Sequence, residues 1–127
     1  MTIILTEEES EEYFFNALCN GSGLGASSLF LNYDKDKYEE ARQRLIDNKK
    51  NHCFEDVLME ILRGGGSITL VDEEEGQDPS TITLKEVHER VQTTPINHLL
   101  DMVNENDDGT TAEVILQIVF YKEIIFG

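Results

Sequence analysis

"TTAEVILQIVFYKEIIFG", residues 110–127, decides what kind of domain this 127-residue chain can build. Val114, Ile115, Ile118 and Val119 are β-branched and suit a strand. Thr110 and Glu113 have the spacing of a capping box, and an apolar run this long exceeds most strands, which suits a helix. We read a buried helix through about Tyr121, followed by an extended "EIIFG". The apolar stretch "VILQIVFY" is interrupted by Gln117 and falls far short of the ~20 residues a membrane helix needs.

Working outward, "NENDDG" (104–109) resembles the start of a calcium loop. An EF-hand loop requires oxygen ligands at alternate positions, Gly at position 6 and a bidentate Glu at position 12. Counted from Asn104, the Gly is in place as Gly109, but position 12 is Ile115. The stretch therefore reads as a helix terminator and turn, with Gly109 left-handed and Thr110 opening the next element.

The clearest helix is "FEDVLMEILR" (54–63). Phe54, Val57, Leu58, Ile61 and Leu62 form a core-facing stripe, and Gly64, Gly65 and Gly66 stop it. An earlier helix begins at "TEEESEEYFF", with Thr6 and Glu9 at capping-box spacing and Phe14, Ala17 and Leu18 inward; Gly21 ends it. The "SLFLNY" stretch alternates like a short strand around 28–33. Asp36 opens the next helix, with Glu39 at capping-box spacing; Tyr38, Ala41 and Leu45 face inward and Arg42, Arg44, Lys49 and Lys50 outward. "SITLV" and "STITL" read as an antiparallel pair joined by the acidic "DEEEGQDP". Thr83 and Glu86 cap a helix with Leu84, Val87 and Val91 inward. After "TTP", Thr94 as N-cap and Pro95 at the first helical position start another, with Ile96, Leu99, Leu100 and Val103 inward. The sum is one α+β domain: four or five helices packed on a small, mainly antiparallel sheet.

Charge is the strongest global feature. Twenty-six acids against ten bases give −16. Residues 35–50 are the exception, with six bases and four acids. Such a field repels phosphates and anionic lipid, so neither direct nucleic-acid binding nor membrane association is expected. The start "MTIILTEEESEE" is no secretory signal. Sparse cysteines fit a reducing, cytoplasmic setting, with Cys19 and Cys53 as small core hydrophobes.

No catalytic, cofactor or metal signature emerges. Cys19, Cys53, His52, His88 and His98 lack zinc spacing. "GSGLG" and "RGGGS" follow helices, whereas a phosphate cradle follows a strand and opens a helix. No nucleophile elbow is present.

"GGSITLVD", "TITLKEVHERV" and "AEVILQIVFYKEIIFG", and more loosely "LFLNYD", resemble a family of small acidic bacterial proteins with no established activity. The resemblance covers roughly residues 64–127. It implies a complete domain whose last residues tuck into the fold or an interface, and it assigns no functional residue.

The expected role is non-enzymatic: an acidic adaptor, inhibitor or accessory domain that meets a basic protein surface. The candidate surface is Glu7, Glu8, Glu9, Glu11 and Glu12, or Asp72, Glu73, Glu74 and Glu75. One alternative is a nucleic-acid mimic that blocks a DNA-binding protein. Another is a small enzyme joining a thiol or carboxylate to His88 or His98. Burial of the apolar C-terminal segment against a second copy would make a homodimer.

Overall fold

The 110–127 segment is helical through Tyr121, and the helix stops there, with Lys122 at φ 69°. The computed structural model describes residues 4–20, 29–72, 78–104 and 109–123, so the "IIFG" end, the Glu73–Glu75 acids and residues 105–108 of "NENDDG" lie outside the described residues. In chain order the elements are α1 (Glu7–Asn20), β1 (Leu29–Asn32), α2 (Lys35–Asp47), α3 (Phe54–Arg63), β2 (Ile68–Asp72), β3 (Ser80–Ile82), α4 (Leu84–Arg90), α5 (Ile96–Val103) and α6 (Gly109–Tyr121), with a 3₁₀ turn over Val91–Thr93. Among the described residues the α+β fold thus has six α-helices, above the expected four or five. The short helices on either side of "TTP" stay separate, and the last segment is a helix through Tyr121, as expected.

Every residue of α6 from Thr111 to Phe120 is buried except Glu113, which is half-buried. That explains the weak one-sided periodicity: a helix apolar all round is a helix wrapped all round. Its wrapping comes from α1, α4, α5, β3 and the 3₁₀ turn. Phe14 of α1 meets Phe120 of α6 with ring centroids 6.2 Å apart and planes tilted by 49°. The end of α6 is tied down by polar groups. Arg90 Nη1 donates to the Val119 carbonyl at 2.7 Å, and Ser80 Oγ donates to the Phe120 carbonyl.

The sheet has the order β1-β2-β3, antiparallel throughout. Register follows the period of two. Ile68, Leu70 and Ile82 are buried on the helix side. On the other face Thr69 and Thr81 are paired and their hydroxyls lie 2.7 Å apart. Helix α3 covers β2, and α2 packs on α3.

Local capping corrects several sequence expectations by a residue or two. Helix α2 is capped by Asp34, not Asp36: Asp34 is extended and its Oδ1 accepts from the Asp36 and Lys37 amides at 2.8 and 3.1 Å. Helix α5 begins at Ile96, with Pro95 rather than Thr94 in the capping position. Thr94 closes the preceding 3₁₀ turn through its amide, and its buried hydroxyl has no hydrogen-bond partner among the described residues. The Thr6–Glu9 box is present, with both bonds at 3.0 Å. Three apolar residues expected inward are exposed: Phe54 at 41%, Leu100 at 44% and Val103 at 51%. Helix α5 buries the edge carrying Leu99 and Met102, and Leu100 and Val103 each sit about 100° around the helix from it. Phe54 opens α3 outside the core and packs its ring against Tyr33 and Tyr38. Cys19 and Cys53 are also exposed, not core hydrophobes, because they stand at helix ends beyond the packed stripes.

The ends of α2 and α3 use one device, the paired 6→1 and 5→2 bonds of a Schellman turn. In α3, Gly66 donates to Ile61 and Gly65 to Leu62, with Gly65 at φ +89°. In α2, Lys50 donates to Leu45 and Lys49 to Ile46, with Lys49 at φ 57°. A lysine there carries the steric cost of a left-handed L-residue. Lys49→Gly should therefore stabilise the fold by up to about 1 kcal/mol. Gly66→Ala should destabilise it, since a Cβ there would sit 2.7 Å from Ile61 Cγ2. Urea unfolding midpoints of the two variants, moving in opposite directions, check this.

Candidate functional site

Helix α1 carries five glutamates, and its folding sorts them. Glu9 is consumed by the cap, where its carboxylate accepts the Thr6 amide. Glu11 lies three residues before Phe14, on the buried stripe. It is 16% exposed and held at both oxygens. Oε1 accepts from Arg63 Nε at 2.8 Å, and Oε2 lies 2.9 Å from His88 Nε2. The other imidazole nitrogen, Nδ1, is 3.5 Å from Glu7 Oε2. One carboxylate thus joins α1 to α3 and to α4. Glu8 and Glu12 remain exposed.

Burial pushes the Glu11 carboxyl up. The hydrogen bonds from Arg63 and His88, together with their charges, outweigh it and hold the group below its ordinary value of 4.5. Helix α3 answers the charge on each side of it. It gives Arg63 to the acidic α1, and on its other flank Glu60 lies 3.9 Å from Arg44 of α2. The latter is a long, partly exposed pair and contributes little.

Between α1 and α3 runs a cleft of about 330 Å³, lined by Glu8, Glu11, Glu12 and Phe15 on one side and by Asp56, Met59 and Arg63 on the other. Its walls alternate carboxylate and apolar surface. Arg63 is already matched by Glu11, so the carboxylates of Glu8 and Glu12 dominate its field, joined by Asp56, one oxygen of which accepts the Cys53 amide at 3.1 Å. A second hollow, of about 380 Å³, is lined by Lys49, Lys50, Asn51, His52 and Cys53.

Glu11 and His88 are brought together from opposite ends of the sequence, but as a brace. Both ring nitrogens face carboxylates, which leaves neither directed at a substrate. His98 Nδ1 lies 3.1 Å from Thr111 Oγ1 and links α5 to α6. His52 Nδ1 is 3.5 Å from the Lys50 carbonyl. Of the second acidic candidate, Asp72 ends β2 opposite Leu29, and Glu73, Glu74 and Glu75 lie outside the described residues. Among the described residues no three His, Cys, Asp or Glu side chains group as metal ligands, and no helix is long and apolar enough to cross a membrane.

In the sequence Glu11 is one of five equivalent acids of the first helix, and Arg63 stands out by no motif. The available signal was positional: an acid on an apolar helical face needs a cation, and Arg63 is the one base of the clearest apolar helix. No family model, curated protein or solved structure matches the chain.

The Glu11 brace has a pH signature. Its carboxyl titrates lower in the folded state than in the unfolded one, so its stabilisation is complete above the unfolded value. It is lost as pH falls through the folded value. Glu11→Gln should cost about 1–3 kcal/mol at neutral pH, by leaving Arg63 and His88 unmatched. It should also flatten the acid limb of a plot of urea midpoint against pH. Parallel acid limbs in the two proteins would remove the brace as a source of pH dependence.

Proposed function

We propose that the chain is an acidic protein-interaction domain, of adaptor, inhibitor or accessory type, that receives a basic side chain of a partner protein in the cleft between α1 and α3. The observation that carries this reading is the make-up of that cleft: Glu8, Glu12 and Asp56 beside the apolar surfaces of Phe15 and Met59. An arginine or lysine has the matching anatomy, an aliphatic stem for the apolar wall and a charged head for the carboxylates. The net charge of −16 supplies long-range attraction for such a partner.

The enzyme alternative draws less support, because the Glu11–His88 pair is satisfied internally. The nucleic-acid-mimic alternative asks for a continuous line of free carboxylates. On α1 that line is interrupted, since Glu9 and Glu11 are engaged within the fold.

Titration calorimetry with a short Arg/Lys-rich peptide tests the proposal. Binding should weaken steeply as salt rises, and Glu8→Lys with Glu12→Lys should lower affinity at least about tenfold. The same double reversal at Glu39 and Glu40, on α2, should change it far less. Equal losses from both pairs would mean that overall charge, not this cleft, attracts the peptide.

A further inference from the structure

Helices α1 and α3 run antiparallel. Arg63, the last residue of α3, meets Glu11 in the second turn of α1. Farther along the shared cleft Phe15 is joined by Met59 and Asp56, so advancing along α1 means retreating along α3. At about 1.5 Å per residue, the path from Glu11 to Cys19 covers about 12 Å and that from Arg63 to Cys53 about 15 Å. The two cysteines therefore stand at nearly the same height, at one end of the helix pair. Both are free and exposed. Cys19 lies in the last turn of α1, and Cys53 is the N-cap of α3. Their proximity is also felt electrostatically: burial raises the Cys19 thiol, and Glu55, Asp56 and Cys53 push it the same way.

We propose that Cys19 and Cys53 are a redox pair, closed by a small-molecule disulfide into an intramolecular bridge that pins the end of α1 to the start of α3. In the first step the Cys53 thiolate attacks one sulfur of the oxidant and stays bonded to it as a mixed disulfide; the oxidant's S–S bond breaks, and its other half leaves as a thiolate that collects a proton. Cys19, deprotonated in turn, attacks the Cys53 sulfur of the mixed disulfide and expels the second thiol. Two protein thiols are oxidised and one external disulfide is reduced to two thiols.

Cα atoms lie about 2.3 Å off a helix axis, so helices packed with axes about 8–10 Å apart bring facing Cα atoms into the range of about 4.4–6.8 Å that bridged cysteines need. Any remaining movement falls on the Cys53 cap. The chain before it permits that movement, since Lys50–His52 belong to no helix or strand. The bridge would close a loop containing β1 and α2, and so would constrain the unfolded chain.

The test incubates the whole protein with oxidised glutathione at mildly alkaline pH, where more of each thiol is ionised. Intact mass, peptide mapping and thermal unfolding are then read. The expected result is a monomer lighter by two hydrogens, a mapped Cys19–Cys53 peptide pair and a Tm raised by roughly 5–15 °C. Dithiothreitol should reverse all three. Cys19→Ser and Cys53→Ser, both exposed and so expected to fold, should each stop at a single glutathione adduct. Two glutathione adducts on the unaltered protein, disulfide-linked dimers, or thiols that stay reduced would each overturn the proposal.

Discussion

Helix α6 offers water almost nothing. From Thr111 to Phe120 only Glu113 escapes burial, so the chain has to supply cover on every side of one rod. The positions of α1, α4, α5 and β3 follow from that demand, and the Phe14–Phe120 contact marks where the N-terminal and C-terminal parts of the chain close over each other. A rod wrapped in this way also leaves its last carbonyls inside the protein. Arg90 and Ser80 serve the Val119 and Phe120 carbonyls from neighbouring elements. An unserved carbonyl in that position would cost as much as a lost hydrogen bond.

The second organising constraint is electrostatic. A chain with 26 acids has few cations to give to its interior. Arg63 and Arg90 are both turned toward internal partners, one a carboxylate and the other a helix end. Glu11 fixes the relative positions of α1, α3 and α4 through two short contacts, and those positions in turn set the walls of the cleft. The site and the fold are thus not separable here. The carboxylate that braces three helices also keeps Arg63 from neutralising the acids around it.

Much of the fold could be read from periodicity and caps. The α3 stripe, the alternation in β2 and β3, and the capping boxes at Thr6 and Thr83 are local signals, and local signals survive in a sequence. What failed depended on neighbours. Leu100 and Val103 share the apolar character of Leu99 and Met102, and only the direction from which α6 approaches decides which edge is buried. Asp34 and Asp36 are equally good caps by type, and the backbone chooses between them. The candidate site was legible as a set of glutamates but not as a geometry. Nothing in the local sequence around Glu11 announces that Arg63 and His88 will meet it from 52 and 77 residues away.

Helix α3 stands between α1, with five acids and no base, and α2, whose four bases balance four acids, and it turns a cation to the first and an anion to the second. These internal pairs reduce the charge difference across α3 but do not remove it. Glu8 and Glu12 remain exposed on α1, whereas the largely exposed segment 35–50, on and after α2, holds six bases against four acids. This flank of the molecule therefore has a direction as well as a net charge: its acids and bases are set apart across α3. A charged body approaching it exerts a torque before any contact is made, and this part of the surface is turned to face an incoming cation while both are still separated by solvent.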